Sequence, residues 1–280
     1  MKYFKYIIMS LVLVAAATSC SDRDVEFPWE PVDTSTKAFV QIMYMGPVTN
    51  VAANNIYKIT LNNQVYENNG AAILSTYNGT PGGGTGLFYT VDAGDVNIKL
   101  WKSDTSDGAE VYNNKFHVEA GKYYSVVVHL FTLPPTVIER GELPVFITSS
   151  TVENSAVRFY NFIFEDETTP STAKLQLRLQ NTETKEYEPV GKPVGFGEAT
   201  EWLTPTVIKT SYNSSGSQRR DLDVIYTDGS PLAYTNANGG TVAKFTDYWT
   251  LAIGRGYMWF LRGTRGTTTR PLAITQWTAN

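Results

Sequence analysis

A two-residue rhythm of apolar side chains is the strongest constraint on how this chain can fold. In residues 122–131, Tyr124, Val126, Val128 and Leu130 share one face of an extended backbone, while Tyr123, Ser125, Val127, His129 and Phe131 share the other. A strand apolar on both faces is expected at the centre of a sheet, covered from both sides. Comparable segments at 38–45, 56–61, 87–91, 96–101 and 111–118 are separated by Asn-Asn, Gly-Gly-Gly or Asp-Gly turn chemistry. A second series follows at 156–164, 175–180, 207–212, 222–226, 248–253 and 257–261. No helical period of similar length competes with these, and 13% aromatic residues with 22 Gly and 13 Pro suit strands joined by turns. The expected fold class is all-β.

The segment 134–155 separates the two series. It holds Pro134 and Pro135 in tandem, Gly141, Pro144 and then a Thr/Ser cluster, and it is expected to join two tandem β-sandwich domains at 38–148 and 149–280. The halves read as distant copies. Phe39-Val40-Gln41-Ile42 followed by Tyr57-Lys58-Ile59-Thr60-Leu61 matches Val157-Arg158-Phe159-Tyr160-Asn161 followed by Leu175-Gln176-Leu177-Arg178-Leu179. An aromatic strand near the end of each half, 122–131 and 247–253, completes the expected correspondence.

Val91-Asp92-Ala93-Gly94, Val96-Asn97-Ile98-Lys99-Leu100 and the run from Phe116 through Ala120-Gly121-Lys122-Tyr123-Tyr124 to Val126 resemble the final strands of the family called domain of unknown function 4397. Ala156-Val157-Arg158-Phe159-Tyr160-Asn161 resembles its first strand. The resemblance implies secreted, often tandem, immunoglobulin-like β-sandwiches of bacterial lipoproteins, and it brings no catalytic residues. Two departures stand out. Gly46-Pro47-Val48-Thr49 and Glu165-Asp166-Glu167-Thr168 replace a Ser-Pro-Asp-Ala-like turn, and the second half has Thr246-Asp247-Tyr248-Trp249 in place of an Ala-Gly-Lys-Tyr-Tyr segment.

The N-terminal residues carry an address. Lys2 and Lys5 precede an apolar run, 6–17, broken only by Ser10, and Ala17, Thr18 and Ser19 lead to Cys20. This order is that of a secretory signal peptide, expected at 1–19. Its apolar run is shorter than the roughly 20 residues a spanning helix needs. Cys20 is the one cysteine, so intramolecular disulfides and metal sites made of several thiolates are excluded. Ala17-Thr18-Ser19-Cys20 resembles a bacterial lipobox, which implies lipidation of the Cys20 thiol and membrane anchoring through its acyl chains. Ser21-Asp22-Arg23-Asp24 with Glu26 resembles the signal that sends lipoproteins of Bacteroidota to the outer face of the outer membrane. Residues 20–37, with Pro28, Pro31, Ser35 and Thr36, are expected to form a flexible stalk.

Chemistry is sparse. Lys+Arg 23 against Asp+Glu 27 gives a net charge of −4, which provides no basic excess for nucleic acid. His117 and His129 are the only histidines, too few for a His-rich metal site, and alternation makes His117 exposed and places His129 with Val127 and Phe131. There is no Gly-x-Ser-x-Gly elbow. Glu165, Asp166 and Glu167 are adjacent and point in alternating directions, as in a solvated loop. Asp104-Thr105-Ser106-Asp107-Gly108 reads as an Asx-type turn rather than a calcium loop, and Gly82-Gly83-Gly84 lacks the Lys-Ser/Thr of a phosphate loop. No cofactor and no enzymatic activity are expected.

The most unusual composition is C-terminal: Trp249, Tyr257, Trp259, Phe260 and Trp277 beside Arg255, Arg262, Arg265 and Arg270. Such residues suit a glycan surface, or else a domain core with arginines along a solvated edge. Alternation with Tyr257 and Leu261 assigns Trp259 to the core. Trp277 is the candidate exposed ring, with Arg262, Arg265 and Arg270 as its ligand-binding companions. The expected function is a noncatalytic, lipid-anchored outer-membrane surface protein facing the exterior, with a glycan or a surface protein as partner. The competing readings are an assembly subunit that uses β-strand pairing, and a glycan-processing enzyme with dispersed carboxylates.

Overall fold

A computed structural model describes residues 32–49, 51–75, 88–102, 109–146, 152–208 and 217–279. The signal peptide, Cys20, most of the stalk, Gly82-Gly83-Gly84 and the turn after Asp104 lie outside the described residues. In the first half the strands are β1 (Lys37–Tyr44), β2 (Lys58–Leu61), β3 (Gln64–Glu67), β4 (Tyr89–Asp92), β5 (Gly94–Trp101), β6 (Glu110–Val118), β7 (Tyr123–Val128) and β8 (Thr136–Glu139). In the second they are β9 (Val152–Asn154), β10 (Ala156–Phe164), β11 (Leu175–Gln180), β12 (Tyr187–Pro189), β13 (Thr206–Ile208), β14 (Ser217–Tyr226), β15 (Tyr234–Thr235), β16 (Thr241–Val242), β17 (Thr246–Ala252), β18 (Gly256–Thr264) and β19 (Ala273–Thr278). The all-β expectation holds, and each half is a β-sandwich.

The two sandwiches repeat one pairing scheme. Sheets β4-β1-β7-β8 and β3-β2-β5-β6 make the first, and sheets β10-β18-β19 and β12-β11-β14-β17 the second. In each half the opening strand lies parallel to a late aromatic strand. Phe39 pairs with Tyr123 and Tyr44 with Val128 in the first, and Ala156 with Gly256 and Phe164 with Thr264 in the second. The counterpart of β7 is therefore β18, not the segment 247–253. That segment forms β17, which pairs antiparallel with β14 as β6 pairs with β5. Tyr257–Leu261, buried throughout like the inner residues of β7, has the double-sided burial that the parallel position demands, whereas Tyr248 of β17 is exposed.

Double-sided burial also sets the higher architecture. From β1 and β7, Val40, Ile42, Tyr44, Tyr124, Val126 and Val128 face Val96, Ile98 and Leu100 of β5 in the first core. Val157, Phe159, Trp259 and Leu261 meet Leu177, Leu179, Leu222 and Val224 in the second. The opposite faces of the inner strands form a third cluster, in which Met43, Met45 and Val127 pack with Tyr160, Phe162, Met258, Phe260 and Trp277. The sheets are thus stacked as four layers with three apolar interlayers. The covering that alternation requires for β7 comes from the second sandwich.

The seam between the sandwiches is also hydrogen-bonded. Arg158 Nη1 donates to the carbonyls of Glu139 and Arg140 at 2.7 Å each, Trp202 Nε1 donates to the Arg140 carbonyl at 2.9 Å, and Arg140 Nη2 donates to the Ala279 carbonyl at 2.7 Å. Residues Thr34–Asn280 accordingly form one compact unit. The segment 134–155, expected as an open linker, contains β8, whose Thr136–Glu139 pair antiparallel with β7. A strand in that position satisfies its backbone groups and removes them from solvent.

Candidate functional site

The outward face of the β12-β11-β14-β17 sheet gathers the exposed aromatic and charged side chains of the second sandwich. Alternation along β14 sends Leu222 and Val224 inward and leaves Arg219, Asp221 and Asp223 outward. Tyr187 is opposite Gln180, Leu179 opposite Leu222, and Asp221 opposite Tyr248. One row across the sheet therefore runs Tyr187, Gln180, Asp221, Tyr248. Three interstrand spacings separate its two tyrosines, roughly 14 Å.

The charges on this face are held in place by one another. Arg178 grips Asp223 through two bonds, Nε to Oδ1 at 2.8 Å and Nη2 to Oδ2 at 2.6 Å. Lys244 Nζ reaches Oδ2 of the same carboxylate at 2.7 Å. Asp223 is fully buried beneath these two cations, so the cluster keeps one surplus positive charge. Hydrogen bonding to Asp223 raises the Arg178 pKa above the ordinary arginine value. Lys244 also lies 4.5 Å from the centre of the Tyr187 ring.

On the neighbouring strand, Arg219 Nη2 meets Asp221 Oδ1 at 2.6 Å, and its guanidinium stacks 3.7 Å above the Tyr248 ring. That hydrogen bond to Asp221 raises the Arg219 pKa. Tyr248 remains 53% exposed despite the stacking. The face thus offers two aromatic rings in one row, with a fixed carboxylate and oriented N–H donors between and beside them. Flat apolar rings next to directional polar groups can stack on the apolar face of a sugar while hydrogen-bonding its hydroxyls.

The C-terminal set singled out in the sequence is placed elsewhere. Trp277 is only 3% exposed, against the expectation of a ring open to solvent. Strand β19 pairs it with Met258, and its ring lies 4.8 Å from that of Phe260 inside the seam. Arg262 is buried and donates from Nε to Thr275 Oγ1 at 2.6 Å. Arg265 forms an ion pair with Glu165 through Nε, at 2.7 Å, and through Nη2. Arg270 is buried, and its carbonyl accepts from the Thr264 backbone N–H at 2.6 Å and from Thr264 Oγ1 at 3.0 Å.

Arg262 ties β18 to β19 through Thr275, Arg265 and Arg270 belong to the turn after β18, and Trp277 is enclosed rather than presented beside them. The close approach of this turn requires Gly263, because a Cβ there would lie 2.6 Å from the carbonyl oxygens of Arg270 and Pro271. The expectation for Glu165-Asp166-Glu167 as a solvated loop changes in part, since Glu167 accepts from Thr267 and Thr269. Trp259 is fully buried, as alternation predicts. So is the outward placement of His117, which pairs with Asp95 at 2.9 Å between two exposed side chains.

The outward face had a local signal in Asp221-Leu222-Asp223-Val224, where charged and apolar residues alternate. Tyr187 and Tyr248 carry no such local signal, because they reach one row only through strand register. Among the described residues, no group of three or more His, Cys, Asp or Glu side chains could hold a metal ion, and no helix is long and apolar enough to cross a membrane.

No family model matches the chain, and no curated protein matches it. Among solved structures it is similar to a "putative cell adhesion protein" from Bacteroides uniformis, with 8% identity and a TM-score of 0.27 over 89% of this chain and 99% of that one. A second "putative cell adhesion protein", from Bacteroides ovatus, is similar with 10% identity and a TM-score of 0.21 over 88% of this chain and 99% of that one. A leucine-rich repeat protein from Bacteroides thetaiotaomicron is similar with 8% identity and a TM-score of 0.23, over 82% of this chain and 26% of that one.

Proposed function

We propose that this protein is a noncatalytic, lipid-anchored protein of the outer-membrane surface that binds extended glycans on the outward face of its β12-β11-β14-β17 sheet. The observation that carries the binding reading is the exposed Tyr248 ring under the Arg219 guanidinium, in one row with Tyr187. A span of roughly 14 Å accommodates more than one sugar ring. The oriented donors of Arg178, Arg219 and Lys244, with their one surplus positive charge, favour glycans that carry acidic groups. The sandwich stack gives this face a rigid support, which reduces the ordering cost of binding.

An array of neutral and acidic oligosaccharides, probed with the full chain in detergent, tests the reading. Tyr248→Ala is expected to weaken the strongest acidic hit about tenfold. Its effect on folding stability is expected to stay within about 0.5 kcal/mol, because the ring is exposed. Equal binding by wild type and Tyr248→Ala would rule out this face as the glycan site. The anchor reading is supported by Ala17-Thr18-Ser19-Cys20 and has its own test. Cys20→Ala should leave the fold intact and move the protein from the detergent phase to the aqueous phase on partitioning; retention in the detergent phase would refute lipidation at Cys20.

A further inference from the structure

At one side of the seam lies a cavity of about 360 Å³, lined by Phe88, Tyr123, Arg140, Leu143, Trp202 and Ala279 together with Gly141 and Glu142. Its walls come from both sandwiches, and they are mostly aromatic or aliphatic. The charged exceptions are Glu142, exposed on the rim, and Arg140, only 5% exposed, whose guanidinium lies 4.8 Å from the centre of the Phe88 ring. Tyr123 meets Phe88 edge-on at 5.3 Å, so the aromatic wall is itself fixed.

The charge on Arg140 has no counter-ion among the described residues. Among the described residues, no carboxylate lies within ion-pair distance of Arg140 or of neighbouring Arg158. Glu139, the adjacent acid, is taken by Lys122 at 3.0 Å, and Glu142 is exposed on the rim without an ion pair to Arg140. Arg158 spends its N–H groups on the carbonyls of Glu139, Arg140 and Thr200. Among the described residues the Arg140 guanidinium donates one hydrogen bond, to the Ala279 carbonyl, out of its five donors. A buried charge without a partner is costly, and burial draws the Arg140 pKa below the ordinary arginine value. Pairing with a bound anion would offset that cost.

We propose that this seam cavity is a binding site for a small monocarboxylate with an aromatic body, its carboxylate on the Arg140 guanidinium and its ring against Phe88, Tyr123 and Trp202. The cavity volume falls within the range of small-molecule sites, about 300–1,000 Å³. A carboxylate can take two parallel N–H donors from one guanidinium, and the aromatic walls bury the rest of the ligand. Because the walls belong to both sandwiches, an occupant bridges them and stabilises the stack. This site is independent of the tyrosine face of the outer sheet, so either can fail without the other.

Calorimetric titration of the full chain with 3-phenylpropionate, and with its neutral counterpart 3-phenylpropanamide, tests the proposal. The acid is expected to bind at one site per chain, and the amide at least about tenfold more weakly. Arg140→Gln should erase that difference. Leu143→Trp fills the cavity from its rim, leaves the seam hydrogen bonds untouched, and should abolish binding of the acid, so it decides the matter if Arg140→Gln does not fold. Absence of binding by the acid at millimolar concentration, equal affinity for acid and amide, or full affinity in Leu143→Trp would each overturn the proposal.

Discussion

Trp277→Ala is expected to destabilise the protein by about 3–5 kcal/mol, as much as Trp259→Ala. The two side chains occupy different apolar interlayers and are buried to similar degrees, Trp259 fully and Trp277 to all but 3%. Trp259 fills the core of the second sandwich and donates from Nε1 to Gln276 Oε1 at 2.7 Å. Trp277 packs in the seam against Phe260, which itself stacks on Tyr160 with ring centres 4.2 Å apart. Truncating either ring leaves a cavity that the surrounding sheets, held by their ladders, can close only in part. Urea melts of both variants give the comparison. A Trp277→Ala variant within about 0.5 kcal/mol of wild type would mean that the seam is not closed around this ring. Because the seam joins the sandwiches into one unit, wild type should melt in a single transition.

Acidification should loosen the same seam through His129. The imidazole is 5% exposed and surrounded by Phe162, Phe164 and Phe196, with ring centres 6.1, 6.3 and 5.1 Å away. Its Nε2 lies 3.1 Å from Thr136 Oγ1, while Nδ1 is buried without a hydrogen-bond partner among the described residues. Burial therefore lowers its pKa from 6.5 to about 4. Between those values the unfolded chain binds a proton that the folded chain does not, so stability falls as pH drops from 6.5 towards 4 and is unaffected by this group above that window.

A shift of this size corresponds to about 3 kcal/mol over the full window. Carboxylates elsewhere also respond to acid, so the informative quantity is the difference between wild type and His129→Phe, which keeps a ring in the pocket and removes the titration. Denaturant melts between pH 7 and pH 4 should show a slope shallower by up to one proton in the variant. Parallel pH profiles for the two proteins would show that His129 is not the buried group responsible.

How much of this could be read from residue order depends on whether a feature is local. Strand β11 spans Leu175–Gln180, as the alternation at 175–180 predicts, and β10 matches its expected span of 156–164. The alternation of Asp221 and Asp223 with Leu222 and Val224 separates the two faces of β14 without reference to any other strand. Short strands such as β3 and β12 escaped because three or four residues give too little period to distinguish a strand from a turn.

Alternation assigns side chains to a face, and it does so because successive Cβ atoms in an extended chain point to opposite sides. All-β architecture, the central place of β7 and the burial of Trp259 follow from that rule and the residues alone. The rule is silent on what lies opposite a face. That Met43 and Val127 meet Phe162 and Phe260, that Trp277 is enclosed, and that Tyr187 and Tyr248 share a row all depend on pairings between strands far apart in the chain. Those pairings are settled when the whole set of apolar faces is buried together, since no short segment gains enough from its own contacts to offset the entropy of ordering it.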